Sequence, residues 1–158
     1  KTGDDFEDSF KFVLPGYTVR PLEMSGAVGQ TQLEKWPEML KMRRKNALVA
    51  QEHLQSPAMH LQTEVGESSW FGFGLTCIGA LEGKRREVIN ALQEQKVECR
   101  PIVAGNFLRN PVINHLNHIE TDCPNADYIH DNGFFIGNDC VDLEDKITAV
   151  GKIIKDLI

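Results

Sequence analysis

The segment from Trp70 to Cys77 constrains the fold most, because its side chains alternate in character. Every second residue from Phe71 to Cys77 is apolar, and two of the residues between them are glycines. A period of two puts alternate side chains on opposite faces of a strand. The pattern therefore predicts a β-strand packed on the face that carries Phe71, Phe73, Leu75 and Cys77. Glycine weakens a strand, so Gly72 and Gly74 indicate close approach by another backbone or by a ligand.

The segments after this strand alternate between helical and extended patterns. Lys84 to Gln95 has the helical spacing, with Val88, Ile89 and Leu92 expected in the core. Val97 to Val103 and Phe134 to Ile136 are predicted strands, and a helical turn is predicted from Ala126 to Asn132. The last helix has the clearest pattern: Asp142 is suited to cap it, and its apolar residues recur at intervals of four and three. These residues are Leu143, Ile147, Val150, Ile154 and Leu157.

The order of these elements predicts an α/β fold, a small α/β sandwich with helices covering one face of a sheet. The part of the chain before residue 58 does not fit that order. Phe10 to Leu14 predicts a short strand, Leu22 to Trp36 predicts a helix, and Pro37 suits the first turn of a second helix that ends before Ser56. We therefore expect two units: residues 1–57 as an N-terminal arm with two bridging helices, and residues 58–158 as a small C-terminal α/β domain.

Composition excludes several classes of function. The 17 basic and 23 acidic residues give a net charge of −6, which disfavours a nucleic-acid surface. No apolar stretch is long enough to predict a membrane span, and no signal-peptide pattern opens the chain. The four cysteines form no Cys-x-x-Cys pair, which predicts reduced thiols in a cytoplasmic protein. His115, His118 and Cys123 are too loosely spaced to predict a metal site.

The run from Gly16 to Leu33 is the most specific motif. It combines a Gly-Tyr turn, Arg20-Pro21 and a helix with Gly-x-x-Gln-Leu at fixed offsets. It resembles the signature of pyridoxal-phosphate-dependent sugar aminotransferases and dehydratases of the DegT/DnrJ/EryC1/StrS type. Three further segments, 66–73, 98–107 and 125–135, resemble the GDP-4-keto-6-deoxymannose 3-dehydratases within that family. The resemblance runs from about Phe10 to the last residue and corresponds to the C-terminal part of the family's length.

This resemblance implies the aspartate-aminotransferase fold (fold type I), in which a large cofactor domain precedes a small C-terminal domain and two subunits form a homodimer. It implies deoxygenation of a nucleotide-linked keto sugar in deoxysugar and lipopolysaccharide O-antigen synthesis, with glutamate restoring the amine form of the cofactor; amino transfer remains open. No segment matches the family's phosphate-binding turn, the aspartate that pairs with the pyridine nitrogen, or the catalytic histidine. No catalytic residue is therefore assigned, and we expect no pyridoxal 5′-phosphate on this chain alone.

The same resemblance nominates five site residues. Thr18 stands where relatives commonly have an asparagine that reaches the cofactor phosphate of the partner subunit, and Arg20 precedes a helix N-terminus, where anions bind well. Arg100 is suited to grip a carboxylate or phosphate, and Asn106 and Phe107 follow in a loop, where binding residues concentrate. A turn salt bridge for Arg20, a solvated Arg100 and a core Phe107 remain the alternatives.

Two hypotheses on function follow. In the first, the chain is the C-terminal part of a pyridoxal-phosphate-dependent nucleotide-sugar 3-dehydratase or aminotransferase, and it is inactive alone. In the second, it is a free-standing, non-catalytic oligomerisation or sugar-binding module derived from such an enzyme. If the same reading frame encodes a cofactor domain upstream of Lys1, the first hypothesis holds. If the reading frame begins near Lys1, the second is favoured.

Overall fold

A computed structural model describes residues 3–19 and 22–158. The helices are α1 (Asp5–Asp8), α2 (Glu23–His53), α3 (Arg85–Glu94), α4 (Pro124–Asn132) and α5 (Glu144–Lys155). The strands are β1 (Met59–Leu61), β2 (Gly72–Cys77), β3 (Cys99–Arg100) and β4 (Gly133–Gly137). Short 3-10 turns lie at Gly79–Leu81, Phe107–Arg109 and Pro111–His115.

Within the described ranges, the strands form one antiparallel four-stranded sheet in the order β1-β2-β4-β3. In β2, Phe73, Leu75 and Cys77 are buried as the alternation predicts. A Cβ added at Gly72 would lie 2.9 Å from the Ile136 carbonyl oxygen of β4, which confirms the close approach by another backbone.

Helices α3 and α5 and the C-terminal end of α2 join the buried face of the sheet in one hydrophobic core. The predicted core residues of α3 and α5 are confirmed, with Val88, Ile89 and Leu92 buried in one helix and Ile147, Val150 and Ile154 in the other. Asp142 also acts at the start of α5, where its Oδ1 accepts a 3.1 Å hydrogen bond from the Glu144 amide. The predicted α/β sandwich is therefore the observed architecture.

The two predicted bridging helices are one continuous helix, so that prediction was wrong. Pro37 lies inside α2. Proline removes one helical hydrogen bond and frees the carbonyl of the residue four positions earlier, here Leu33. Leu33 is exposed, so water can satisfy that carbonyl and the helix tolerates the proline. Sequence reasoning treated Pro37 as a helix start because proline favours that position.

A buried polar cluster attaches the end of α2 to the segment before α5. Asn46 is fully buried, and its Nδ2 lies 3.0 Å from Asn138 Oδ1 and 2.8 Å from the Val141 carbonyl oxygen. Its Oδ1 accepts a 3.1 Å hydrogen bond from the Leu143 amide. The second half of α2 thus shares the core of the small sandwich, while the domain boundary at residue 57 stays a prediction.

Three local predictions were also wrong. Residues 10–14 form no strand; the short helix α1 precedes them, and residues 11–19 are exposed. Trp70 is buried and Phe71 is exposed, the reverse of the alternation, because Trp70 has a positive φ of 50° just before β2 begins. Strand β3 covers Cys99–Arg100 rather than Val97 to Val103, because Pro101 has no amide hydrogen for the ladder.

Candidate functional site

A tight loop at residues 103–110 follows β3. Val103 and Gly105 both have positive φ, at 28° and 55°, so the backbone turns sharply before Asn106. Asn106 is buried, and its Oδ1 accepts a 3.0 Å hydrogen bond from the Leu108 amide, which starts a 3-10 turn. Asn110 closes the loop by donating from Nδ2 to the Ala104 carbonyl at 3.1 Å. The loop therefore has a fixed shape although its backbone is irregular.

One face of α4 holds this loop. Asp127 Oδ1 accepts a 2.9 Å hydrogen bond from Asn106 Nδ2, and His130 Nδ1 accepts a 3.2 Å hydrogen bond from the Asn106 amide. Asp131 Oδ1 accepts a 2.7 Å hydrogen bond from Arg109 Nη1. Residues three and four apart share a helix face, so these three side chains act on the loop together.

His130 lies in a half-buried position with mixed charges around it. Burial lowers the pKa of His130 from its ordinary value of 6.5, and Arg109 and Arg85 lower it as well, against the raising effects of Asp131 and Glu7. The neutral ring is thereby favoured, and in that form Nδ1 can accept the hydrogen bond from Asn106.

The N-terminal segment covers the other side of the loop. The Phe12 amide donates to Asn110 Oδ1 at 3.1 Å, and the Phe12 ring lies 5.8 Å from the Phe107 ring, centroid to centroid. A cavity of about 260 Å³ opens between this segment and the loop. Its lining includes Glu7, Lys11, Arg85, Arg109 and His130, so charged and polar groups dominate one wall.

Arg100 lies apart from this cavity. It forms an exposed ion pair with Glu98, at 2.5 Å from Nη2 to Oε1, two residues away on the same strand end. It lines a second, larger cavity of about 680 Å³ beside β4 and α5, together with the exposed Phe71 and with Phe135. The structure therefore puts Asn106 and Phe107 in one loop and Arg100 at the border of a different cavity.

Of the two predicted cofactor residues, the structure describes Thr18. Thr18 is exposed within the exposed stretch 11–19, and it lines neither of the two cavities described above. Arg20 lies outside the described residues. Because Thr18 is exposed and borders neither of these cavities, its side chain does not enclose pyridoxal phosphate within this chain.

Sequence reasoning missed Asp127, His130 and Asp131 as functional candidates. The sequence feature that could have identified them is their spacing of three and four residues on a predicted helical turn, inside a segment that resembles the family. What joins them to Asn106 is tertiary packing, which spacing alone does not reveal. Among the residues that the structure describes, no group of three or more His, Cys, Asp or Glu side chains could hold a metal ion.

The structure also bears on membrane association. Over residues 3–19 and 22–158, none of the helices has the length and apolar character needed to cross a bilayer.

Comparison with known proteins agrees with the architecture and with the motifs. The chain is 48% identical over 158 residues to a GDP-4-keto-6-deoxy-D-mannose 3-dehydratase of Yersinia pseudotuberculosis, covering 98% of this chain and 40% of the relative. The E. coli GDP-4-keto-6-deoxy-D-mannose-3-dehydratase with bound hydrated PLP matches with a TM-score of 0.78 and 44% identity, over 97% of this chain and 40% of that one.

A more distant match shows the fold alone. Helicobacter pylori PseC, an aminotransferase involved in the biosynthesis of pseudoaminic acid, matches with a TM-score of 0.67 at 11% identity, covering 97% of this chain and 44% of that one. The chain spans about two-fifths of the length of the two curated relatives that it matches above 40% identity. The model of the DegT/DnrJ/EryC1/StrS aminotransferase family matches residues 2–153, nearly the whole sequence. On these grounds the chain belongs to the DegT/DnrJ/EryC1/StrS aminotransferase family.

Proposed function

We propose that the chain supplies the small-domain half of the substrate site of a pyridoxal-phosphate-dependent GDP-4-keto-6-deoxymannose 3-dehydratase. The observation that carries the proposal is the match in sequence and in three dimensions to dehydratases of that specificity, which extends through the fixed loop at residues 103–110. Dehydration is favoured over amino transfer because the relatives above 40% identity are dehydratases.

Within this proposal, the roles divide between two regions. Phe107, which is partly exposed, faces the substrate from the loop, while the buried Asn106 holds the loop in shape. Arg100 contacts an anionic group from the end of β3. Thr18 and Arg20 contact the cofactor phosphate across a subunit interface, so they act only in the assembled enzyme. The exposure of Thr18 supports this division, because a residue that completes a partner's site has no enclosing contacts in its own chain.

A chimera tests the proposal. In it, this chain replaces the segment of the E. coli relative that it matches at 44% identity. We expect the chimera to dehydrate GDP-4-keto-6-deoxy-D-mannose. We expect Asn106→Ala to raise KM roughly tenfold, because the loop loses the hydrogen bonds to Asp127 and to the Leu108 amide that fix its shape. Asn117→Ala, at an exposed position, is the matched control. A folded chimera without dehydratase activity would favour the non-catalytic module instead.

We also propose that the chain forms a homodimer in the cytoplasm, through the exposed first half of α2. Met24 and Val28 are both more than 60% exposed there and lie four residues apart on one face of α2, and contiguous apolar patches are uncommon on soluble monomers. Two copies of one patch pair most simply about a two-fold axis. The cysteines in the described residues are free thiols, as expected in a reducing compartment.

Sedimentation equilibrium at high micromolar concentration checks the dimer. We expect twice the monomer mass of 17.8 kDa. Val28→Glu should shift the equilibrium to the monomer, because it puts a charge into the apolar patch. Leu48→Glu, on the same helix and similarly exposed, is the control and should leave the dimer intact. A single monomeric species for the unmodified chain would contradict the dimer.

A further inference from the structure

We propose that His130 is a positioning residue whose neutral ring holds the loop at residues 103–110 in its binding shape, and that protonation of the ring releases the loop. The inference rests on the proposed function only for the use of the loop as a substrate contact. The control of the loop by His130 depends on contacts between α4, the loop and the N-terminal segment.

The contact between His130 and the loop is specific. The ring packs directly on Gly105, where an added Cβ would lie only 2.4 Å from Nδ1 of His130 and in tight contact with its Cγ and Cβ. The next amide, that of Asn106, donates to Nδ1 at 3.2 Å. The ring thus fills the space next to a glycine with a positive φ and accepts a hydrogen bond from the following residue. A side chain at Gly105 or a different ring position would change the turn.

Asn106 is the residue that this contact orients. Its side chain is fixed by Asp127 and by the Leu108 amide, while its backbone amide is fixed by His130. With both its side chain and its amide hydrogen-bonded, the buried Asn106 has a single orientation. If the His130 contact is lost, the side-chain bonds remain but the backbone between Val103 and Asn106 is free to relax from its strained conformation.

Protonation removes the acceptor. In the imidazolium form both ring nitrogens carry hydrogens, so Nδ1 faces the Asn106 amide donor to donor. The charged groups around the ring come from every element packed on it: two acids of α4, one acid of α1, one basic residue after α1, and arginines of α3 and the loop. These are Asp127, Asp131, Glu7, Lys11, Arg85 and Arg109. Arg109 and Arg85 oppose a further positive charge, whereas Asp131 and Glu7 favour it.

The direction of the pH effect follows from the lowered pKa. As the pH falls, the unfolded chain takes up this proton near pH 6.5, before the folded chain does. The contribution of the neutral ring to stability is therefore complete above about pH 6.5 and is lost as the pH falls below it. Within the folded state, the loop should loosen at a still lower pH, when the ring itself is protonated.

Amide hydrogen exchange and chemical shifts of the nitrogen-15-labelled chain test the proposal. Between about pH 7.5 and 5, we expect the Asn106 amide resonance to titrate with a midpoint below about 6.5. Its exchange, corrected for the intrinsic effect of pH, should become roughly tenfold faster at the acid end, the loss expected for one hydrogen bond.

Two variants separate positioning from packing. His130→Asn retains a side-chain acceptor that does not titrate, so protection of Asn106 should persist and its pH dependence should vanish. His130→Phe retains a ring without an acceptor, so protection should be lost at every pH. His60→Asn, at an exposed position of β1, is the control and should leave the Asn106 titration unchanged.

Equal protection of Asn106 in the two His130 variants, or an Asn106 amide insensitive to pH in the unmodified chain, would overturn the inference. Addition of GDP at about pH 7.5 examines the proposed function separately. Shifts of the loop resonances would support its substrate role. Their absence would count against that role while leaving the exchange result as a valid test of His130.

Discussion

Asn46→Ala is expected to lower the free energy of unfolding by about 3 kcal/mol, because it removes the centre of a buried polar cluster. The Asn46 amide nitrogen lies within hydrogen-bond distance of Asn138 Oδ1, the Asp139 carbonyl and the Val141 carbonyl. Its oxygen accepts from the Leu143 amide. After the substitution the buried Asn138 Oδ1 loses this partner, and three part-buried backbone groups lose theirs, which costs more than the bonds contributed.

Urea denaturation followed by circular dichroism measures this change. Asn117→Ala is the matched control: the residue is exposed, and surface substitutions of this kind usually change stability by less than about 0.5 kcal/mol. A loss at Asn46 no larger than that at Asn117 would show that water satisfies the cluster. The expected loss would confirm that the end of α2 is part of the folded unit.

The elements that sequence predicted well are those whose side chains show a regular period. In α5 the apolar residues recur at intervals of four and three, and in β2 they alternate from Phe73 to Cys77; both patterns depend on one buried face. The short strand β1 was missed because its three residues, Met59 to Leu61, are too few to show a period. Trp70 was assigned to the wrong face because a backbone turn, rather than the strand, determines its direction.

Proline was misread in one place, where context decided its effect. Pro37 favours a helix start, but an exposed helix interior also accepts it when water can satisfy the freed carbonyl. Whether that carbonyl meets water depends on what α2 packs against. Only the three-dimensional arrangement supplies this information, because the exposure of residues 22–38 is a property of the whole fold.

The role of the predicted site residues in binding stays a prediction. Asn106 and Phe107 were selected from a loop that resembles the family, and the structure describes that loop as fixed by its own turns and by α4. The partners Asp127 and His130 lie 21 and 24 residues along the chain from Asn106. A hydrogen bond over that separation leaves no local pattern, so sequence periodicity could not identify it.

Cofactor retention is the second result for which we expect a large effect. The chain alone should lose pyridoxal phosphate on gel filtration, because Thr18 is exposed and borders neither of the two cavities. The chimera with the E. coli relative, which was solved with bound hydrated PLP, should retain it in stoichiometric amount, because the chimera restores the part of that protein that this chain does not match. Thr18→Asn in the chimera should tighten retention further, since an amide can donate to a phosphate oxygen with more reach than a hydroxyl.

The visible absorbance of bound cofactor after gel filtration, measured side by side on the chain and on the chimera, tests most directly whether this chain provides part of a site rather than a whole one. Circular dichroism and sedimentation confirm that both proteins are folded. The account predicts no retained band for the chain and a stable, stoichiometric band for the chimera. A stoichiometric band on the chain alone, or none on a folded chimera, would contradict it.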